Sequence, residues 1–236
     1  MKLWTNRGLV GLVIAATMML LGEQCHAGLS LDLNYCFSGT APANTGQPWV
    51  SLLFQDQNDI STIPANQVQL TLSTAGLTSS ENMVNLYLNL NPNLAVNTPG
   101  DWTISLATPP ANYQGTFSST VQEDSFMADG DGKYDVLLTF GTGTSKSGIV
   151  GPATAVIDFA YAGSATFNSG SFNFLSTSAG GAGPFLAASH IQLGGGVSGW
   201  IAAPEPNFTL AAALLLVPCA GASLCRKIPW GKSVTE

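Results

Sequence analysis

Val84-Asn85-Leu86-Tyr87-Leu88-Asn89-Leu90 decides the fold class. Apolar side chains stand at every second position. Successive residues of a strand point to opposite faces, so this is a strand with one buried face. Val68-Gln69-Leu70-Thr71-Leu72 repeats the pattern. Working outward, Leu29–Phe37, Val50–Gln55, Trp102–Leu106, Tyr134–Phe140, Ala155–Tyr161, Ser164–Phe167 and Ser171–Leu175 read as further strands. Turn signals separate them at Asn44-Thr45-Gly46, Asn91-Pro92-Asn93, Thr98-Pro99-Gly100 and Asn168-Ser169-Gly170. No stretch between the two chain ends carries a convincing 3.6-residue period. Thr78–Met83 and Pro184–Ile191 are the places where a short helix is allowed. Many short strands without interposed helices predict an all-β body, an antiparallel β-sandwich of jelly-roll-like type, with a barrel as the less favoured closure.

Composition agrees and excludes other classes. Charged residues make up 9% of the 236, against about 25% in ordinary soluble domains. Only 7 residues are Lys or Arg and the net charge is −7, so a phosphate-binding, nucleic-acid partner is excluded. A coiled coil or helical bundle would need far more Glu, Lys and Arg. A hydrophobic share of 45% with so little charge also argues against disorder.

The two ends read as addresses. Lys2 and Arg7 precede an uncharged run from Gly8 to Leu21, and Cys25-His26-Ala27 places small residues at a cleavage site after Ala27. Residues 1–27 are therefore expected to be a signal peptide, with an uncleaved anchor or a lipoprotein as alternatives. At the other end Pro204-Glu205-Pro206 precedes Phe208–Cys225, 18 residues without a charge, near the length that spans a bilayer. Arg226 and Lys227 follow at once. Basic residues stay cytoplasmic, so this segment is expected to be a single transmembrane helix with its C-terminus inside.

Pro204, Glu205 and Pro206, the apolar segment 208–225 and the basic tail 226–236 with Arg226 and Lys227 together resemble the PEP-CTERM sorting signal of bacterial exported proteins. The resemblance implies an exosortase as partner, cutting near the triplet. It implies an inner-membrane intermediate and then release or transfer to the cell surface, often among exopolysaccharide. Gly183-Pro184-Phe185 leading into Ala188-Ser189-His190-Ile191-Gln192 also resembles the end of many passengers of such tails.

Residues 28–203 remain as one passenger domain, and 204–236 as the sorting segment. The domain carries eleven carboxylates against Lys133 and Lys146, a net charge of −9. Such a surface prefers divalent cations or neutral partners. Cys36 is its single thiol, so no internal disulfide supports it and it must rest on its core.

Few residues offer chemistry. Asp129-Gly130-Asp131-Gly132-Lys133-Tyr134-Asp135 sets carboxylates at alternate positions with glycines between. Asp129, Asp131 and Asp135 are thus candidate calcium ligands, with Glu123 and Asp124 near enough to add oxygens. An EF-hand-like loop wants an acid or amide at its fifth position and Gly at its sixth. Lys133 and Tyr134 stand there, and the alternative is a solvated acidic turn. His190 is the one histidine after residue 27. A serine triad would have to use it, yet no Gly-x-Ser-x-Gly elbow occurs. Gly194-Gly195-Gly196-Val197-Ser198-Gly199 spells Gly-x-Gly-x-x-Gly, but the chain then reaches the expected membrane segment and no dinucleotide site is expected.

Three function classes follow. The first is an exported, non-catalytic cell-surface or matrix protein without a cofactor. The second is a secreted carbohydrate-binding β-sandwich, calcium-assisted or not, using aromatics such as Trp49, Trp102 or Tyr113. The third is a secreted hydrolase, disfavoured by the scarcity of histidine and basic groups. No catalytic residue is assigned.

Overall fold

A computed structural model describes residues 28–205, apart from 95, 112 and 142–146. By its contacts the chain divides after Pro204. The expected signal peptide, Pro206, the 208–225 segment, Arg226 and Lys227 lie outside the described residues.

One sheet holds five strands in the spatial order β1 (Leu29–Leu33), β3 (Val50–Gln55), β4 (Gln67–Ser73), β10 (Thr154–Tyr161) and β6 (Trp102–Thr108). The other runs β2 (Tyr35–Gly39), β12 (Ser198–Ala203), β11 (Ala187–Gln192), β5 (Asn82–Leu88), β8 (Asp131–Thr139) and β7 (Ser118–Ala128). The two-residue β9 (Ile149–Val150) pairs with β5. Every ladder is antiparallel. Among the described residues there is no α-helix, only 3-10 turns at Pro99–Asp101 and Ser169–Phe172.

Alternation along each strand builds the core. In β4, Val68, Leu70 and Leu72 are buried while Gln67, Gln69, Thr71 and Ser73 are half-buried. Leu52, Phe54, Leu70, Ile157 and Phe159 of the first sheet join Leu86, Leu88, Val136, Leu138 and Ile191 of the second in one cluster. Two sheets sharing one apolar layer between their inner faces make a sandwich. A smaller cluster lies on the far side of the second sheet. There Tyr87, Ala188 and Ala202, whose strand neighbours point inward, pack with Ala128, Tyr134 and Phe185.

Several expected boundaries are corrected. Leu29–Phe37 is two strands, broken at Asn34, where the chain passes from one sheet to the other. Ser164–Phe167 is irregular, and Ser171–Leu175 begins in the second 3-10 turn instead of a strand. Their apolar residues serve the core from loops: Phe172 stacks on Phe54 at 4.3 Å and meets Phe159 edge-on at 5.1 Å. Neither Thr78–Met83 nor Pro184–Ile191 is helical, because β5 starts at Asn82 and β11 at Ala187.

β6 pairs only with β10, and β7 only with β8. These are the last strands of their sheets, and they approach each other across one open side of the sandwich.

Candidate functional site

A concavity opens between β6 and β7. It encloses about 410 Å³. β6 supplies Trp102 and Ile104, alternate residues that share the inward face. β7 supplies Ser119 and Val121 from its inward face and Thr120 and Gln122 from its exposed face, and the loop before β6 supplies Asn97. Trp102 is half-buried, held by Tyr161 at 4.7 Å and by the edge of Phe167 at 5.2 Å. Its ring is therefore fixed before any ligand arrives. Asn97 donates its side-chain N–H to Glu123 at 2.6 Å, which orients the amide and leaves its carbonyl oxygen able to accept. An apolar ring flanked by hydroxyls and amides matches a ligand with C–H faces and many hydroxyl groups. None of the lining residues is acidic or basic.

The carboxylates of the acidic run stand in different surroundings. Asp129 is exposed with φ of 50° at the β7–β8 turn. Asp131 is buried and accepts the backbone N–H of Ala182 at 2.6 Å and of Gly183 at 2.9 and 3.0 Å. Only glycine lets that loop descend so far: a Cβ on Gly181 would stand 2.8 Å from the Asp131 carboxyl carbon, at a φ of +77°. Asp135 accepts the N–H of Leu90 and of Asp124, each at 2.9 Å. Burial pushes the Asp135 carboxyl above its ordinary range, the N–H groups of Asp124 and Leu90 oppose this, and the charges of Asp124 and Glu123 add to it. Backbone donors thus take the lone pairs of Asp131 and Asp135 in two separate places. Among the described residues no group of three His, Cys, Asp or Glu is placed to hold a metal.

Other sequence candidates scatter. Trp49 is buried in the core and its indole N–H donates to the Asn44 carbonyl, so it is not a surface platform. Tyr113 spends its hydroxyl on the Phe140 carbonyl at 2.9 Å. His190 lies on β11, stacked on Trp200 of β12 at 4.5 Å, and its burial lowers its pKa while Asp129 opposes the shift. The glycine run 194–196 forms the β11–β12 hairpin, with all three φ positive and Leu193 donating to Val197 at 2.9 Å. Pro204 and Glu205 are exposed and follow directly on β12. Sequence reasoning found Trp102 but missed Ser119, Thr120 and Gln122, since β7 was not recognised as a strand.

No family model and no curated protein matches the chain. Among solved structures, a scaffoldin carbohydrate-binding module of family 3b from the cellulosome of Bacteroides cellulosolvens is similar at a TM-score of 0.31 and 12% identity. The alignment covers 71% of this chain and 99% of that one.

Proposed function

We propose that this chain is an exported, non-catalytic surface protein whose sandwich binds neutral polysaccharide in the β6–β7 cleft. The observation that carries this reading is the cleft wall: a braced Trp102 beside Asn97, Ser119, Thr120 and Gln122, with Glu123 bonded to Asn97. Sugar rings stack their C–H faces on aromatic rings and bond their hydroxyls to amides and alcohols. The body's net charge of −9 disfavours anionic polymers and leaves neutral ones. The repeated passage of the chain between sheets is the jelly-roll-like element of this reading.

Affinity electrophoresis through gels of neutral polysaccharides tests the binding. Retardation by at least one polysaccharide, weakened about tenfold in Gln122→Ala and Thr120→Ala, is expected, each tenfold being about 1.4 kcal/mol. Both residues are exposed, so their loss leaves the core intact. Migration unaffected by every neutral polysaccharide defeats the proposal.

Delivery in this reading uses the signal peptide 1–27 and the tail 204–236, with an exosortase as partner. The last strand ends at Ala203, which supports it: a cut at the triplet spares every described strand. The mature product would run from near Gly28 to near Pro204. Intact mass of the surface or medium fraction, in a host encoding an exosortase, decides. A species that retains residues 208–236 leaves a membrane-anchored protein instead.

A further inference from the structure

We infer that the polysaccharide does not end at the cleft but continues along β6 to a second subsite beyond the other end of that strand. The inference rests on the proposed reading of the cleft.

A second concavity of about 630 Å³ is lined by Ser79, Tyr113, Gln114, Val150, Pro152 and Thr154 among others. Its place follows from the register of the first sheet. Trp102, at the start of β6, pairs with Tyr161, whereas Thr108, at the end of β6, pairs with Val156. Thr154 opens the neighbouring strand two residues before Val156, Pro152 lies in the loop just ahead of it, and Tyr113 and Gln114 follow β6 in the chain. The second hollow therefore lies off the Thr108 end, and the cleft lies at the Trp102 end. Seven residues separate them along β6, roughly 20 Å at about 3.3 Å per residue. Between the two, Leu106 of β6 and Phe117 just before β7 are half-buried against the core, so the path carries apolar side chains.

The chemistry of the second wall repeats that of the first. Ser79, Gln114 and Thr154 offer neutral donors and acceptors at its rim. The Tyr113 hydroxyl is already engaged by Phe140, so the ring remains as an apolar surface and not as a donor. Val150 is one of the few large apolar residues left 36% exposed, and a ligand with C–H faces would cover it. Tyr113 is the only ionisable side chain in the lining among the described residues, and burial pushes its pKa up. Among the described residues, neither lining carries a charged side chain. One extended neutral chain satisfies both hollows and the path between them.

The test titrates the full-length protein in detergent with neutral gluco- and manno-oligosaccharide ladders, from disaccharide to hexasaccharide, by calorimetry. Affinity is expected to climb with length until an oligomer reaches both hollows, and then to level. Gln114→Ala combined with Val150→Ser should weaken the longest oligomer about tenfold and leave the shortest unchanged. Gln122→Ala should weaken all lengths alike. Length-independent affinity, or an unchanged hexasaccharide affinity in the double variant, overturns the second subsite and leaves the cleft standing. An absence of binding at every length overturns both.

Discussion

The carboxylate of Asp131 accepts the backbone N–H of Gly183 through both of its oxygens, 52 residues along the chain. With a third bond from Ala182, it ties the glycine-rich loop to the tip of the β7–β8 hairpin. Asp131→Ala strands two donors and should cost about 2–3 kcal/mol in urea unfolding, the scale of buried unsatisfied groups. Asp131→Asn keeps one acceptor oxygen and should cost less. Because the Asp131 carboxylate is turned to the N–H groups of Ala182 and Gly183, millimolar calcium should leave the melting temperature of the unaltered protein unchanged. A calcium-dependent rise abolished by Asp131→Ala would restore the metal reading.

Asp56 ties a second long-range junction. Buried at the end of β3, it accepts the N–H of Asn58 at 2.7 Å and of Ser169 at 2.8 Å, pinning the 3-10 turn that carries Phe172. Burial alone would raise its carboxyl, but the bonds from Ser169 and Asn58 outweigh it and hold the pKa below the ordinary 3.8. A depressed acid stabilises the fold above its unfolded pKa, and that stability is lost as pH falls through the folded value. Asp56→Ala should therefore destabilise by about 1–3 kcal/mol at neutral pH. The gap to the unaltered protein should close below about pH 3.8. An equal gap at pH 7 and pH 3 would assign the loss to packing.

Tyr134 is fully buried in the smaller outer cluster, and among the described residues its hydroxyl makes no hydrogen bond of ordinary geometry, only a marginal one with Ser176. Its ring contacts Tyr87 at 5.7 Å. Tyr134→Phe keeps that contact and removes a polar atom that lost its water on folding. Stability should hold or rise, by up to about 1 kcal/mol. A loss beyond that would reveal a partner for the hydroxyl.

How much of this was legible varies by strand. β3 and β10 read to within a residue because one face of each is apolar at every second position. β7 was invisible for a physical reason. As an edge strand it buries only Val121 and Ala128. Its register also jumps between Val121 and Phe126, so the period of two that marks a strand is interrupted. β12, Ser198-Gly199-Trp200-Ile201-Ala202-Ala203, hides its burial in small residues. Phe167 and Phe172 misled in the other direction, since apolar residues in a loop that closes the core look locally like strand residues. The cleft inherits this split. Trp102 was singled out as an aromatic, but its neighbours on β7 are brought to it by two sheets meeting at their edges. No local pattern records that meeting.

The end of the body offers the last test. β12 lies between β2 and β11, and its Ile201, Ala202 and Ala203 are buried, at 0, 0 and 2% exposure. Removing Ile201 alone takes away a core contribution of about 2–5 kcal/mol, against about 5–15 kcal/mol for a whole domain. Losing the strand also strands β2, which among the described residues pairs with β12 alone. Pro204 and Glu205, in contrast, are exposed. A chain of residues 28–204 should therefore unfold in one cooperative transition, whereas residues 28–199 should lack one. The boundary matters for the proposed processing, because a protease acting at Pro204-Glu205-Pro206 must release a body that is already complete. Equal cooperativity of the two chains in urea, followed by circular dichroism, would show that β12 is dispensable. An unfolded 28–204 chain would show that the body needs residues beyond the triplet, and release by cutting there would then destroy the product.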